Sequence, residues 1–598
     1  MWQDNKDVIQ ADLPGLGPTL GIGMSGARAK SENTKLRGGY YTRPSIADFL
    51  AGWAVRRRDA QVLEPSCGDG AIVMPAAKRL GPRGQVTALE LYPEEAKKAE
   101  IAGGERTEVV TGDAFDWYLR TRPEASFDAV VGNPPFIRYQ SWPEGHREKA
   151  FRILREEGLH PTRLTNAWAP FVVLATLALR PGGRLGLVVP AELMQVTYAA
   201  EIREYLARKY SQLTMLTFRH LVFDGIQQET VLLLGERQDC SSAEVALVEV
   251  DSDDDLLALS VQDAKRVRLD LDHAREKWTQ YYLSPRELDL IRTVEEADGF
   301  TTLGEIAEVD VGIVTGRNDF FVLSPVQARE LGLRKWCRPL VARSVHIPGI
   351  DLKPEDWKQL LDEDARCLLL QLGDRERDEL PPRALAYVEW GEENGVHEGY
   401  KCRIRLPRWW NVPSDWIPDA FLLRQINDGP RIIRNGAGAT CTDTIHRLRL
   451  TDGVSPASIA AASMNSMTFA FSEIRGRSYG GGVLELEPTE AESLPFPSLE
   501  RELPVEEINQ LAREKSVEDV LAQVDRLTLQ QVGLTKRETE ALRGIWRKLY
   551  RRRLSRKAKP RGRVSRLPSG RTLGVFGGRG RLGGSGRRES SAPKLPFS

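Results

Sequence analysis

Val130-Val131-Gly132-Asn133-Pro134-Pro135-Phe136 is the stretch from which the fold is read. It follows Ser126-Phe127-Asp128-Ala129, so an acidic turn leads into a short buried strand that stops at Gly132. Proline has no backbone N–H and cannot continue a strand ladder. Pro134-Pro135 therefore holds a stiff loop just past the strand's carboxyl end, where open α/β sheets bind ligands. Such a loop presents the Asn133 side-chain carbonyl and the Pro134 backbone carbonyl as two acceptors for one amino group. Phe136 adds a flat apolar face for a planar base. An exocyclic NH2 on a nucleobase fits this set. A Pro-Pro turn after any buried strand is the plainer reading, and the upstream sequence weighs between them.

Upstream, Gly38-Gly39-Tyr40-Tyr41-Thr42-Arg43-Pro44 opens a helix with Ile46, Phe49, Leu50, Trp53 and Ala54 on one stripe. Thr42 or Ser45 can cap it. Gln61-Val62-Leu63-Glu64-Pro65-Ser66-Cys67-Gly68-Asp69-Gly70 reads as a strand, a glycine turn and a helix through Ala77. Gly68 lets the backbone approach a ligand closely. The next strand, 85–89, ends in Glu90, an acid about 20 positions past the glycines, as suits a ribose diol. The strand at 107–111 leads to Asp113, placed to accept from an adenine amino group. Each acid alone reads equally as a solvated loop residue. Three strand-end acids in order, followed by the Asn-Pro-Pro-Phe loop, are not easily coincidental.

The 598 residues suffice for about two or three domains, each with its own core. Hydrophobic residues at 41% and charged ones at 28% describe an ordinary globular chain. With 84 basic and 84 acidic residues, net charge neither demands nor excludes nucleic acid, so distribution matters more. The six cysteines form no CxxC pair, so neither a zinc site nor a disulfide framework is indicated and no metal is expected. No signal peptide or membrane-length apolar run is seen, and a cytoplasmic location is expected.

Downstream, 166–179 reads as an apolar helix, 184–189 as a strand, and 213–218 with 230–234 as the antiparallel end of the sheet. Residues 251–285 are charged and mixed. From Leu303 strand-like alternation returns in Ile306-Ala307-Glu308-Val309-Asp310-Val311 and continues through Trp409-Trp410-Asn411, Pro430-Arg431-Ile432-Ile433 and Thr444-Ile445-His446-Arg447. Interleaved arginine and aromatic residues suit duplex contacts, or ordinary surface salt bridges. Residues 503–550 read as helical, with Val517, Val520, Leu521, Val524 and Leu527 on one stripe. Beyond Tyr550 the basic Gly/Arg-rich sequence cannot bury a core, and serves either non-specific phosphate attraction or no role.

Residues 38–136 resemble the S-adenosylmethionine-dependent DNA N6-adenine methyltransferases, with motifs in the Taq-like (gamma) order: the Tyr-Thr-Pro segment, the glycine turn, then Asn-Pro-Pro-aromatic. Asn-Pro-Pro-aromatic is similar to the motif of amino-directed methyltransferases generally. Val311-Gly312-Ile313-Val314-Thr315-Gly316-Arg317-Asn318 and Ser478-Tyr479-Gly480-Gly481-Gly482 resemble that family's target-recognition domain. The resemblance implies an α/β fold: a Rossmann-like class I methyltransferase domain, then an α+β target-recognition domain and a disordered basic tail. The expected layout is a flexible arm over 1–34, the catalytic domain over 35–250, a connector over 251–300, recognition over 301–500, a helical segment over 501–550 and the tail over 551–598. It also implies that Thr42, Glu64, Gly68, Glu90 and Asp113 hold the cofactor, S-adenosyl-L-methionine, and that Asn133, Pro134, Pro135 and Phe136 hold the target base. Phe223, in Leu221-Val222-Phe223-Asp224-Gly225, matches the family's base-stacking aromatic, a core phenylalanine at a hairpin being the alternative. Arg43, inserted between Thr42 and Pro44, departs from the family pattern.

The expected activity is methyl transfer to the N6 amino group of an adenine flipped out of double-stranded DNA. It would sit within a restriction-modification or related system, with a separately encoded endonuclease and a monomeric methyltransferase. RNA-base or protein-glutamine methylation, and a non-catalytic DNA specificity subunit, are the competing readings.

Overall fold

The computed structural model describes residues 42–555 apart from 221, 223–228, 241–242, 262–265, 268–270, 273–275, 414–415, 480 and 499–501. The expected N-terminal arm, Phe223 and the expected tail past 555 lie outside the described residues. Two compact units share the chain. The first takes described residues up to 309, then 423–432 and 450–555; the second takes 310–422 and 433–449. The segment expected to be a recognition domain, 301–500, thus contributes to both units.

In the first unit, β1 (Gln61–Glu64), β2 (Gln85–Glu90), β3 (Thr107–Thr111), β4 (Phe127–Gly132), β5 (Leu179–Pro190), β6 (Tyr210–Phe218), β7 (Thr230–Arg237), β8 (Glu244–Val250) and β9 (Arg266–Val267) form one sheet. Its order is β3-β2-β1-β4-β5-β7-β6-β8-β9. β3 through β5 run parallel, while β7 is antiparallel to both β5 and β6. Neighbouring strand residues point to opposite faces, and both faces here are apolar: Leu63, Val130 and Val189 enter one core, Val62, Val131 and Val188 the other. A sheet buried on both faces needs helices on both. α1 (Pro44–Ala54), α2 (Val73–Arg79) and α3 (Pro93–Gly103) cover one side, and α4 (Ala114–Thr121), α5 (Glu144–Glu156) and α6 (Trp168–Ala178) the other. Each fully buried Val or Leu contributes about 1.5–3 kcal/mol. The strand order reverses between β1 and β4, which opens a crevice at their carboxyl ends.

The inserted Arg43 finds its partner far along the chain. It is the N-cap of α1, with Pro44 at the first helical position and no side-chain cap from Thr42 or Ser45. Instead Asp253 accepts from Arg43 Nη1 at 3.1 Å and from Ser45 Oγ at 2.5 Å. The acidic run expected to be a connector therefore folds as a 3₁₀ helix, Asp253–Ala258, that pins the start of α1.

The second unit contains two small sheets and a core of Phe320, Phe321, Tyr387, Trp409 and Trp410 among others. Trp409-Trp410 is not the exposed strand its sequence suggests. The pair lies in a turn and is buried, with the Trp409 ring 5.0 Å from that of Phe320. Rings this large gain more from a core than an edge strand offers them. Back in the first unit, helices occupy Val505–Glu514, Val517–Leu527 and Lys536–Ser555. The last overruns the tail boundary expected at 551, because Arg553 is buried against Glu473 rather than solvated. Among the described residues no helix is long and apolar enough to cross a membrane.

Candidate active site

The parallel register sets Glu64 beside Ala88 and Leu63 beside Val130, so the carboxyl ends of β1, β2 and β4 lie together. After β1 the chain turns through Gly68 (φ +53°) and Gly70 (φ +86°). A Cβ on Gly70 would sit 2.8 Å from Ala99 Cα, so glycine there permits α3 to pack against the turn. The turn is tied to β2: Glu90 accepts from Gly68 N–H and from Tyr92 N–H, each at 2.9 Å. Asp113 caps α4, accepting from Phe115 N–H at 2.8 Å through Oδ1. Its Oδ2 pairs with His146 Nδ1 from α5. Asn133 leaves β4 and donates from Nδ2 to Thr42 Oγ1 at 3.2 Å, which orients its amide.

The loop beyond Phe136 is anchored by a half-buried polar cluster. Asn166 Oδ1 accepts from Tyr139 N–H at 3.2 Å, and Ile137 O accepts from Ala167 N–H at 3.0 Å. Asn166 Nδ2 in turn donates to Glu192 Oε2 at 3.1 Å; the same oxygen accepts from Tyr198 OH at 2.5 Å and Trp168 Nε1 at 3.3 Å. Glu192 stands two residues past β5, so the exit of the Asn-Pro-Pro-Phe loop is braced by the neighbouring strand's end.

These elements enclose a cavity of about 490 Å³. Thr42, Glu64, Gly68, Glu90, Asp113, Asn133 and Pro135 line it; Pro134 is buried away from it. Phe136, half-buried, packs against both apolar clusters and does not line it either. Sequence reasoning missed Asp69, Phe115, Trp142, His146 and Phe171, which also line it. Trp142 comes from the segment between β4 and α5, which carries no periodic signal, and His146 from the first turn of α5.

Five carboxylates line the cavity, Glu64, Asp69, Glu90, Glu95 and Asp113, and no Lys or Arg among the described residues does. Glu64 is 2% exposed, and its Oε2 has no hydrogen-bond partner among the described residues. Burial, then the charges of Asp69 and Glu90, hold its carboxyl well above the ordinary range. Burial also raises Glu90, against the two amides that favour its charged form. An acidic pocket with an apolar wall of Phe115, Trp142 and Phe171 suits a ligand with a planar purine at one end and positive charge at the other. It opposes one carrying phosphates.

Residues 27–312 match the family model of N-6 DNA methylases. Residues 275–529 match the model for the C-terminal domain of type II methyltransferase M.Eco57I. Type II methyltransferase M.XamI of Xanthomonas campestris pv. amaranthicola is 22% identical over 476 residues, 77% of this chain and 85% of that one. Type II methyltransferase M.TthHB8I of Thermus thermophilus is 28% identical over 200 residues, 32% of this chain and 43% of that one. Among solved structures, the type IIL restriction-modification enzyme MmeI in complex with DNA matches with a TM-score of 0.53 at 10% identity, over 88% of this chain and 76% of that one, a likeness of fold. Sheet, cavity and both family models agree on one class, the N6-adenine DNA methyltransferases of restriction-modification systems, to which the chain is similar.

Proposed function

We propose that this chain methylates adenine N6 at a specific site in double-stranded DNA, with S-adenosylmethionine as methyl donor and with motifs in the Taq-like order. The observation that carries this reading is the convergence of Thr42, Glu64, Gly68, Glu90, Asp113 and Asn133 on one acidic cavity at the β1/β4 switch point. When bound, the cofactor supplies a sulfonium methyl, already a good electrophile with a neutral leaving group. The chain's own residues bind and orient. Glu64, buried with an unpartnered oxygen, offers an acceptor to the cofactor's cationic end. Glu90, held rigid by two amides, takes the ribose diol, and Asp113 faces the purine's amino group.

The target adenine must leave the duplex, since its amino group is otherwise paired and out of reach. Asn133 Oδ1 and Pro134 O then accept the two amino hydrogens, which raises electron density on nitrogen and aims its lone pair. Positioning supplies most of the acceleration. Phe136 stacks on the flipped base, and Phe223 is the second stacking candidate. The protein acts as a monomer in the cytoplasm beside a separately encoded endonuclease.

The test is direct. Purified protein, duplex DNA and S-adenosylmethionine should yield N6-methyladenine by nucleoside mass spectrometry, clustered at one motif when the DNA is sequenced with modified-base detection. N4-methylcytosine, or methylation of RNA alone, would refute the assignment.

A further inference from the structure

Several arginines of the second unit have carboxylate partners: Arg366 with Asp319 at 3.1 Å, Arg377 with Glu392 at 2.8 Å and Arg408 with Asp374 at 2.8 Å. The segment Gly399-Tyr400-Lys401-Cys402-Arg403-Ile404-Arg405-Leu406 holds three cations and no Asp or Glu. Arg405 anchors it, donating from Nη2 to Thr315 O at 2.6 Å in the turn that carries Arg317. The Arg317 side chain lies over Gly399, where an added Cβ would meet its Nε at 3.2 Å. Lys401, Arg403 and Arg317 thus stand close together, and none has a carboxylate partner among the described residues. The same segment exposes large apolar side chains: Tyr400 at 63%, Ile404 at 57% and Leu406 at 52%. A folded surface seldom spends three neighbouring apolar residues on water without a partner.

We propose that this face docks on duplex DNA, with Lys401, Arg403 and Arg317 at backbone phosphates and Ile404 with Leu406 against sugars and base edges. The inference rests on the reading of the chain as a DNA methyltransferase and assigns part of its duplex contact to named residues. Charge selects the occupant. A second copy docked symmetrically would bring like cations face to face, whereas a phosphate backbone takes cations and tolerates apolar groups between them.

The two contact types separate by salt. In the full chain, duplex affinity measured by fluorescence anisotropy from about 50 to 200 mM salt should show a shallower slope of log K against log salt in Arg403→Ala and Lys401→Ala, by about one each. That is about threefold less affinity lost on raising the salt over this range, per cation removed. Ile404→Ala with Leu406→Ala should lower affinity by the same factor at every salt concentration and leave the slope unchanged. Arg377→Ala, which removes a cation paired with Glu392, is the control expected to change neither. Wild-type affinity and slope in Arg403→Ala and Lys401→Ala would overturn the proposal while N6 methylation by the wild type left the functional reading standing. It would equally be overturned if the Ile404/Leu406 variant bound DNA normally but converted a self-associated protein to monomer in sedimentation. If the wild type bound no duplex at all, the functional reading would fall, and this one with it.

Discussion

Glu64 leaves β1 with little exposure and an unpartnered oxygen, so water no longer stabilises its charge. Its carboxyl is therefore raised well above the ordinary value of 4.5, by burial first and by Asp69 and Glu90 next. A raised folded-state pKa means that the contribution of this group to stability is complete below the unfolded value and is lost as pH rises through the folded one. A cationic ligand favours the ionised form and so should displace the proton. Cofactor binding is expected to release a proton at pH values below the raised pKa of Glu64, and affinity should climb with pH across that window. Calorimetry in two buffers of different ionisation heat reads the release; Glu64→Gln should abolish it, and an equal release in that variant would acquit Glu64. Asn133 poses a different question. Asn133→Ala removes an acceptor needed mainly as the amino nitrogen turns positive, so its loss falls on the transition state rather than on binding. Turnover should drop about 100-fold or more with near-normal DNA and cofactor affinity. Phe136→Ala should instead weaken capture of the flipped base by about 1–3 kcal/mol. Single-turnover methylation and 2-aminopurine fluorescence divide the two, and full turnover in Asn133→Ala would reduce the loop to a structural turn.

At the scale of elements, the loop's geometry depends on what holds its far end. Asn166→Ala breaks the hydrogen bond to Tyr139 N–H and leaves Glu192 short of a donor. Losses of this kind run to about 1–3 kcal/mol, so a turnover loss of roughly tenfold is expected. Asn166→Asp keeps the acceptor for Tyr139 but sets two carboxylates together, and adding Glu192→Gln should recover much of the rate because the amide can then donate. If Asn166→Asp were as active as the wild type, the cluster would be incidental to the loop. None of this pairing was legible beforehand. The strands β1, β2 and β4 were, because apolar runs ended by glycine, proline or acid announce buried strands and their turns. Glu64 and Glu90 reached the cavity wall as strand ends and Asp113 as a cap residue, placements that local spacing does encode. Asp253 reaching Arg43 and Ser45, or His146 reaching Asp113, depends on chain segments meeting across the fold. Trp409 and Trp410 misled for the same reason: alternation alone cannot tell a strand from a turn buried by its own rings.

Over the whole molecule, the C-terminal helix matters more than its basic composition suggests. The chain leaves the first unit after 309 and returns to it, ending in Lys536–Ser555. There Arg553, 2% exposed, pairs with Glu473, which is similarly buried, and also donates to Asn427 O at 2.8 Å. Arg552 lies over the Tyr282 ring at 3.5 Å and meets Glu249 at 2.7 Å, so the helix end touches the sheet that carries the cavity. A catalytic fragment ending near Ser284 would lack all of this. It would also strand Lys277, whose ammonium burial has pushed down to about 8 and which pairs with Glu490 at 2.8 Å. Cutting a buried pair from one side is far more costly than replacing both members, because the survivor keeps its desolvation without its partner. Arg553→Ala should therefore destabilise the protein by about 3–5 kcal/mol. Arg553→Met combined with Glu473→Leu should recover most of that loss, since neither charge then remains buried. Denaturant midpoints followed by tryptophan fluorescence would measure both variants. If Arg553→Ala unfolded at the wild-type midpoint, Arg553 would belong with the solvated tail that composition alone suggested, and the closing role given to this helix would be lost.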